Sequence, residues 1–165
     1  MKLLPATQED IKTIQDLARR SWEHAYADIL SREQLEFMLS TMYSNEEIQT
    51  QLNNPHYHYF LAYDEVLDVF EGFIGFEHSY ETNTTKLHRI YLVPESKGKG
   101  VGKKLLTFLH EKVKDFGDKR IILAVNKNNS AKQFYESQGY RVYDEGVFDI
   151  GNGFVMDDYL MENNL

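Results

Sequence analysis

Apolar residues follow two rhythms along this chain, and the change from one to the other lays out its elements. Ile11, Ile14, Leu17, Ala18, Trp22 and Ala25 fall three or four residues apart, giving one apolar helix face over about four turns. Thr7 and Asp10 stand just ahead of it as an N-cap and its N3 partner. Ser31-Arg32-Glu33-Gln34 caps a second helix with Leu35, Met38, Leu39 and Met42 on its face, and Asn45-Glu46-Glu47 begins a short third. Asn53-Asn54-Pro55 breaks this rhythm. The run Tyr57 to Tyr63 is aromatic and strand-like, Asp64-Glu65 supplies a turn, and a further strand lies around Phe70 to His78. Gly72 and Gly75 inside it mark a bulge or a close neighbour. Polar residues Glu81 to Thr85 lead into another strand, Leu87 to Val93, so three strands follow one another in antiparallel order.

The second half alternates strand and helix. Val101, Leu105, Leu109, Val113 and Phe116 recur at helical spacing, and Gly117 ends that helix. Arg120 to Val125 is a continuous apolar run, as for a strand buried on both faces. Strand, helix and strand at this spacing predict a right-handed crossover between parallel strands. Asn129 or Ser130 caps a last helix through Phe134 and Tyr135 that stops at Gly139. Arg141-Val142-Tyr143 and Phe154 to Leu160 then form a hairpin around Ile150-Gly151-Asn152-Gly153, where Asn-Gly is the turn signal. No repeat or linker interrupts the 165 residues, so residues 1–165 read as one domain.

Composition narrows the class. Eighteen Lys and Arg against 26 Asp and Glu leave a formal net charge of -8, which disfavours nucleic acid as a partner because that needs a basic face. The chain has no cysteine, which removes disulfides, thiolate metal sites and a Cys nucleophile. His56 and His58 make an H-x-H pair with no third ligand at a recognisable spacing, so no metal is expected. Neither a signal peptide nor an apolar run near the roughly 20 residues of a membrane span is visible, and a cytoplasmic protein with no membrane partner is expected.

Against this acidic background Lys97, Lys99, Lys103 and Lys104 crowd a turn in which Gly98, Gly100 and Gly102 alternate. A helix follows at once, and its first N–H groups carry the positive end of the macrodipole, so the junction suits a phosphate group. Two nucleotide motifs fail here. Only three residues separate Gly98 from Gly102, and Lys104 stands where a Walker loop needs its hydroxyl. The dinucleotide fingerprint needs another glycine spacing and an acidic residue ending the next strand, which here ends Ala124-Val125-Asn126.

Lys97-Gly98-Lys99-Gly100-Val101-Gly102 closely resembles the Q/R-x-x-G-x-G/A signature of the GNAT superfamily of acyl-CoA-dependent N-acetyltransferases, with Lys97 replacing Gln or Arg. Asn126 to Tyr140, through Asn129, Ala131, Phe134, Tyr135 and Gly139, is similar to that family's N-x-A-x-x-F-Y-x-x-x-G-F/Y element. The likeness is specific over Ile90 to Tyr140 and holds in outline from Leu3 to Leu160. It implies an α/β fold with a mixed, twisted and splayed central sheet of about seven strands and about four to five helices. It also implies acetyl-CoA as acetyl donor.

On this resemblance the pantetheine arm pairs with backbone at Ile90, Tyr91 and Leu92, and the diphosphate is held by amides of Gly98, Lys99, Gly100, Val101, Gly102 and Lys103, with Lys97 adding charge. Lys99, Lys103 or Lys104 would stand near the outer phosphate, and Asn126 and Asn129 complete the cofactor-binding set. An amine then attacks the thioester directly, a main-chain N–H near Tyr91 or Leu92 stabilises the oxyanion, and Tyr135 protonates the departing thiolate. His88, on the same strand face as Leu92 under simple alternation, is a candidate base; Glu77, His78, Asp157, Asp158 or water alone are alternatives. Trp22 and Tyr26 border the acceptor region, though plain core packing is the favoured account of both, and Glu77 and Asp157 are further substrate-binding candidates.

Asp144, Glu145, Asp149, Asp157, Asp158 and Glu162 oppose only Arg141 in the last strands, which would draw a cationic acceptor or simply make a solvated edge. The closing segment, Asp149 to Glu162, also resembles bacterial acetyltransferases related to polyamine acetylation. A small-molecule amine is thus the leading acceptor; a protein amine, or CoA binding without catalysis, are the other readings, and a homodimer is left open.

Overall fold

The computed structural model describes residues 1–165. Strand β1 (Lys2–Pro5) leads into a short 3-10 turn and helix α1 (Ile11–Ala25), followed by α2 (Arg32–Met42) and α3 (Asn45–Asn53). The helix starts follow local chemistry. The Thr7 amide donates to Asp10 Oδ2 at 2.8 Å, and Ser31 and Ser44 Oγ each accept the amide three residues on at 3.1 Å. Strands β2 (Tyr57–Asp64), β3 (Val69–Glu81) and β4 (Thr84–Leu92) come next, then α4 (Val101–Phe116), β5 (Arg120–Asn126), α5 (Ala131–Ser137), β6 (Arg141–Gly151) and β7 (Phe154–Asn164). At α5 the cap is Asn129, whose Oδ1 accepts the Ala131 amide at 2.9 Å. The final hairpin is longer than the sequence pattern predicts, because Asn152 and Gly153 both take positive φ, 54° and 80°, and close a two-residue turn that lets β6 pair along β7.

The seven strands form one sheet in the order β1-β2-β3-β4-β5-β7-β6. Only β4 and β5 are parallel, and they pair at just three positions, Thr84 with Arg120, Thr85 with Ile121 and Lys86 with Ile122. Beyond Lys86 they part. β4 stays with β3 and β5 stays with β7, so the sheet divides into two halves joined at one end. A bulge on β4 accompanies the parting: Leu87 faces Phe76 and Arg89 faces Gly75, which leaves His88 as the extra residue. Gly72 and Gly75 of β3 do have close neighbours, since a Cβ would lie 2.3 Å from the Tyr91 carbonyl oxygen and 3.0 Å from the Tyr59 ring.

Each face of the sheet carries its own core. Trp22, Leu35, Ile48, Tyr59 and Phe73 pack under α1, α2 and α3, and Ile74, Phe76, Leu105, Leu109, Ile121 and Met161 pack under α4. Consecutive β3 residues Phe73 and Ile74 enter opposite cores, as strand alternation requires. Each such side chain, fully buried, contributes about 1.5–3 kcal/mol. No helix is long and apolar enough to cross a membrane.

Candidate active site

The glycine turn sits at the mouth of the parted sheet. Gly98 and Gly100 have φ of 83° and 71° with open space where a Cβ would be, so conformation is what selects glycine there. At Gly102 the reason is packing: a Cβ would come within 3.2 Å of the Phe134 ring and 3.5 Å of Leu92, holding the start of α4 against β4 and α5. The main-chain N–H groups of Gly98, Gly100, Val101, Gly102 and Lys103 find no acceptor in the chain, whereas Lys99 and Lys104 donate to the Ser96 and Gly100 carbonyls. Lys97, Lys103 and Lys104 are exposed. Lys99 is not free in the same way: its Nζ lies 2.7 Å from buried Glu71 and 3.8 Å from Asp64, so the ammonium that the sequence offers to an outer phosphate is turned back to fasten the turn to β2 and β3.

Where β4 and β5 part, their edges line a cavity of about 230 Å³. Ile90, Tyr91, Leu92, Gly102, Asn129, Phe134 and Tyr135 are among its walls. A second cavity, of about 430 Å³, opens on the other side of the parting between α1, α2 and the β6–β7 hairpin. Leu87, His88, Arg89, Tyr91, Leu123, Ala124 and Tyr26 line both, so the two chambers share one wall at the split.

Tyr135 lines the smaller cavity alone, is buried and makes no side-chain hydrogen bond; its ring packs on Phe134 and Tyr140. Burial, with nearby Tyr26 adding to it, raises its pKa, so the phenol holds its proton at any physiological pH. The Tyr26 hydroxyl accepts from Asn129 Nδ2 at 3.5 Å, linking α1 to the loop before α5.

His88 does not share a face with Leu92. The bulge shifts the phase of β4, so Leu92 packs with the α4-side core while the His88 ring stacks on Tyr57 at 5.0 Å, against the other face. Its Nε2 is 3.0 Å from Glu77 Oε1; a carboxylate only accepts, so Nε2 carries the hydrogen and Nδ1 keeps its lone pair. Burial, then the charge of Lys86, push this imidazole down to about 4 despite Glu77. His78, another candidate base, is elsewhere: its Nδ1 meets Thr85 Oγ1 at 2.9 Å and its ring stacks on Phe116.

Two expected site residues, Asp157 for the acceptor and Asn126 for the cofactor, stand away from the cavities they were expected to line. Asp157 lines neither cavity, because alternation along β7 turns it to the opposite face, where its carboxylate meets Lys127 Nζ at 3.0 Å. Met156, Asp158 and Leu160 are the β7 residues that face the larger cavity. Asn126, expected to bind the cofactor, lines that cavity and not the smaller one, and its Oδ1 accepts the Asn128 amide at 2.9 Å, which shapes the loop before α5. Trp22 is both core and wall: it is fully buried, yet it borders the larger cavity.

Sequence reasoning missed Arg89. This buried guanidinium lies over the Tyr43 ring at 4.2 Å and donates to the Tyr59 hydroxyl and the Met42 carbonyl, both at 2.7 Å, with no carboxylate partner. A charge inside the otherwise apolar run Leu87 to Val93 was the available signal.

A parted parallel pair beside a helix start rich in unpaired amides invites comparison with known proteins. The model of the Acetyltransferase (GNAT) domain matches residues 26–159. The chain belongs to the GNAT acetyltransferase family. It is accordingly an acyl-CoA-dependent N-acetyltransferase, with acetyl-CoA as donor. A spermidine N(1)-acetyltransferase of Thermoplasma acidophilum is 31% identical over 153 residues, 90% of this chain and 91% of that protein. The crystal structure of PaiA N-acetyltransferase from Thermoplasma acidophilum in complex with coenzyme A superposes with a TM-score of 0.82 at 28% identity, over 100% of both chains. A spermidine N-acetyltransferase SpeG chimera from Vibrio cholerae and hSSAT, 19% identical, shares the fold with a TM-score of 0.72, over 99% of this chain and 96% of that one.

Proposed function

We propose that residues 1–165 act as one domain that moves the acetyl group of acetyl-CoA to a primary amine of a small, polyamine-like acceptor, with both substrates held in the parted sheet at once. The observation that carries this reading is the shared wall: two cavities reach the same residues, His88, Tyr91, Leu123 and Ala124, from opposite sides of one sheet. One chamber is bounded by the glycine turn's helix and the other by aromatic and acidic side chains, which suits a donor on one side and an amine on the other.

Acetyl-CoA would supply the activated thioester carbonyl, and the chain's part is to hold it and move protons. The five N–H groups without acceptors between Gly98 and Lys103 suit a diphosphate, with Lys97, Lys103 and Lys104 adding charge. The edge of β4 from Ile90 to Leu92, unpaired on its β5 side, would take the pantetheine amides as a false strand. Tyr135 then protonates the departing sulfur, and it suits that task because burial keeps its hydroxyl neutral. His88, its Nε2–H held by Glu77, presents Nδ1 as an acceptor for the ammonium proton. At about 4 it is a weak base, so most of the amine's deprotonation falls to water.

Tyr143, Phe148 and Ile150 of β6 roof the larger cavity, which favours a small acceptor over a peptide lying in an open groove. The likeness to a spermidine N(1)-acetyltransferase supports a polyamine-type amine. The test is thiol release from acetyl-CoA by the purified protein against polyamines, amino acids, aminoglycosides and peptides. Turnover with polyamines above the other classes is the expected result; turnover confined to peptides, or none with any amine, would reject it.

A further inference from the structure

Two residues lining the larger cavity carry a buried polar atom that nothing in the protein satisfies, Trp22 at Nε1 and Asp158 at Oδ1, and only the carboxylate can accept from a cation. Asp158 Oδ1 is buried and has no hydrogen-bond partner, whereas the neighbouring Asp157 is exposed and pairs with Lys127. A buried carboxylate oxygen left without a donor costs stability, so its persistence calls for an explanation. The cations nearby are occupied elsewhere. Lys86 Nζ lies over the Tyr80 ring at 4.7 Å, and Arg89 is held by Tyr59, Met42 and the Tyr43 ring. Burial and the adjacent Asp157 raise the Asp158 pKa, the state of a carboxyl waiting for a counter-charge.

Position adds direction. Asp158 belongs to the larger cavity alone and not to the wall shared with the smaller one. It faces Asn126 across the β5–β7 ladder, two residues farther along β5 than Ala124 of the shared wall, a rise of roughly 6.5 Å. The lining of this cavity is mostly apolar and aromatic, with Trp22, Tyr26, Tyr91 and Leu160 among it. Such a path accommodates methylenes and offers ring faces to a cation.

Resting on the acceptor reading above, we infer that Asp158 is a specificity-determining residue that binds a second, distal ammonium of the acceptor while the first amine lies at the shared wall. The chain is thereby a diamine and polyamine enzyme rather than a general alkylamine one. Asp158 forms a charge-assisted hydrogen bond to a nitrogen that takes no part in the reaction, so its effect falls on acceptor binding.

The experiment compares 1,4-diaminobutane with butylamine, which differ by one terminal amine, in the native protein and in Asp158→Asn and Asp158→Glu. In the native protein kcat/KM favours the diamine. Asp158→Asn lowers that preference about tenfold or more, through the KM of the diamine rather than kcat, because one hydrogen bond to a charged group is lost. Asp158→Glu, which restores the charge, recovers part of the preference. Equal efficiency of both amines with the native protein would overturn this inference and leave the acetyltransferase reading of the site standing. So would a fall of kcat alike for both amines in Asp158→Asn, which would make the group a base. Acetylation of neither amine would overturn both.

Discussion

The two sides of the parted sheet are built from different materials. On the proposed donor side the groups on offer are main-chain amides and an open strand edge, set by the local run of thirteen residues from Ile90 to Gly102 and by the start of α4. On the acceptor side they are side chains from α1, α2, β4, β5, β6 and β7, brought together only when the hairpin closes over the sheet. A backbone site tolerates many side chains and is written as a motif. A side-chain site depends on which face each residue of a strand takes, and one bulge or one register step moves a group from cavity to solvent.

Substitutions can break this contrast. The largest expected effect belongs to the proposed proton donor in the smaller cavity: Tyr135→Phe keeps the packing and removes the hydroxyl, and kcat falls about a hundredfold with little change in the KM for acetyl-CoA. Steady-state thiol release measures both constants, and an unchanged kcat would transfer the donor's role to water. Next comes acid sensitivity at His88. Its pKa is held down at about 4 against an ordinary value of 6.5, so its stabilising contribution is complete above pH 6.5 and drains away as the pH falls toward 4. The loss is about 3 kcal/mol by pH 4. Thermal melts from pH 7 to pH 4 should drop more steeply for the native protein than for His88→Gln; parallel curves would show that the ring is not held neutral.

A backbone site is sharpened by a backbone change. Gly100→Ala meets no neighbour, so its cost is that of a left-handed residue, about 1 kcal/mol of stability, and calorimetry should find CoA binding weaker by about fivefold. Removing the Lys103 side chain should matter mainly at low salt. The smallest effect is the control on β7: Asp157→Asn breaks an exposed pair with Lys127 and costs less than about 0.5 kcal/mol, with the preference between diamine and monoamine preserved. A preference lost there, and not at position 158, would reverse the assignment of the two faces.

Reading the sequence located the caps, the crossover and the glycine turn because each rests on chemistry within a few residues: a serine oxygen three positions before an amide, a β-strand followed at once by a helix, a glycine where φ must be positive. The acceptor side was legible in kind and not in detail. An acidic last hairpin was visible, but which of Asp157 and Asp158 faces the cavity depends on the phase of β7 against β5. Simple alternation put His88 beside Leu92, and the bulge between Leu87 and Arg89 undid it. Lys99 read as one of four equivalent cations until Glu71, twenty-eight positions away in sequence, arrived at 2.7 Å.

By itself the order of residues determined the elements, the glycine turn and the family, because turns, caps and apolar rhythms are settled by near neighbours along the chain. The tertiary structure alone decided where β4 leaves β5, which carboxylate is left without a partner, and which cation is spent inside the protein. Those are questions of what meets what across the sheet, and pairings between distant segments have no local signature because any of several registers would satisfy the same pattern of polar and apolar residues.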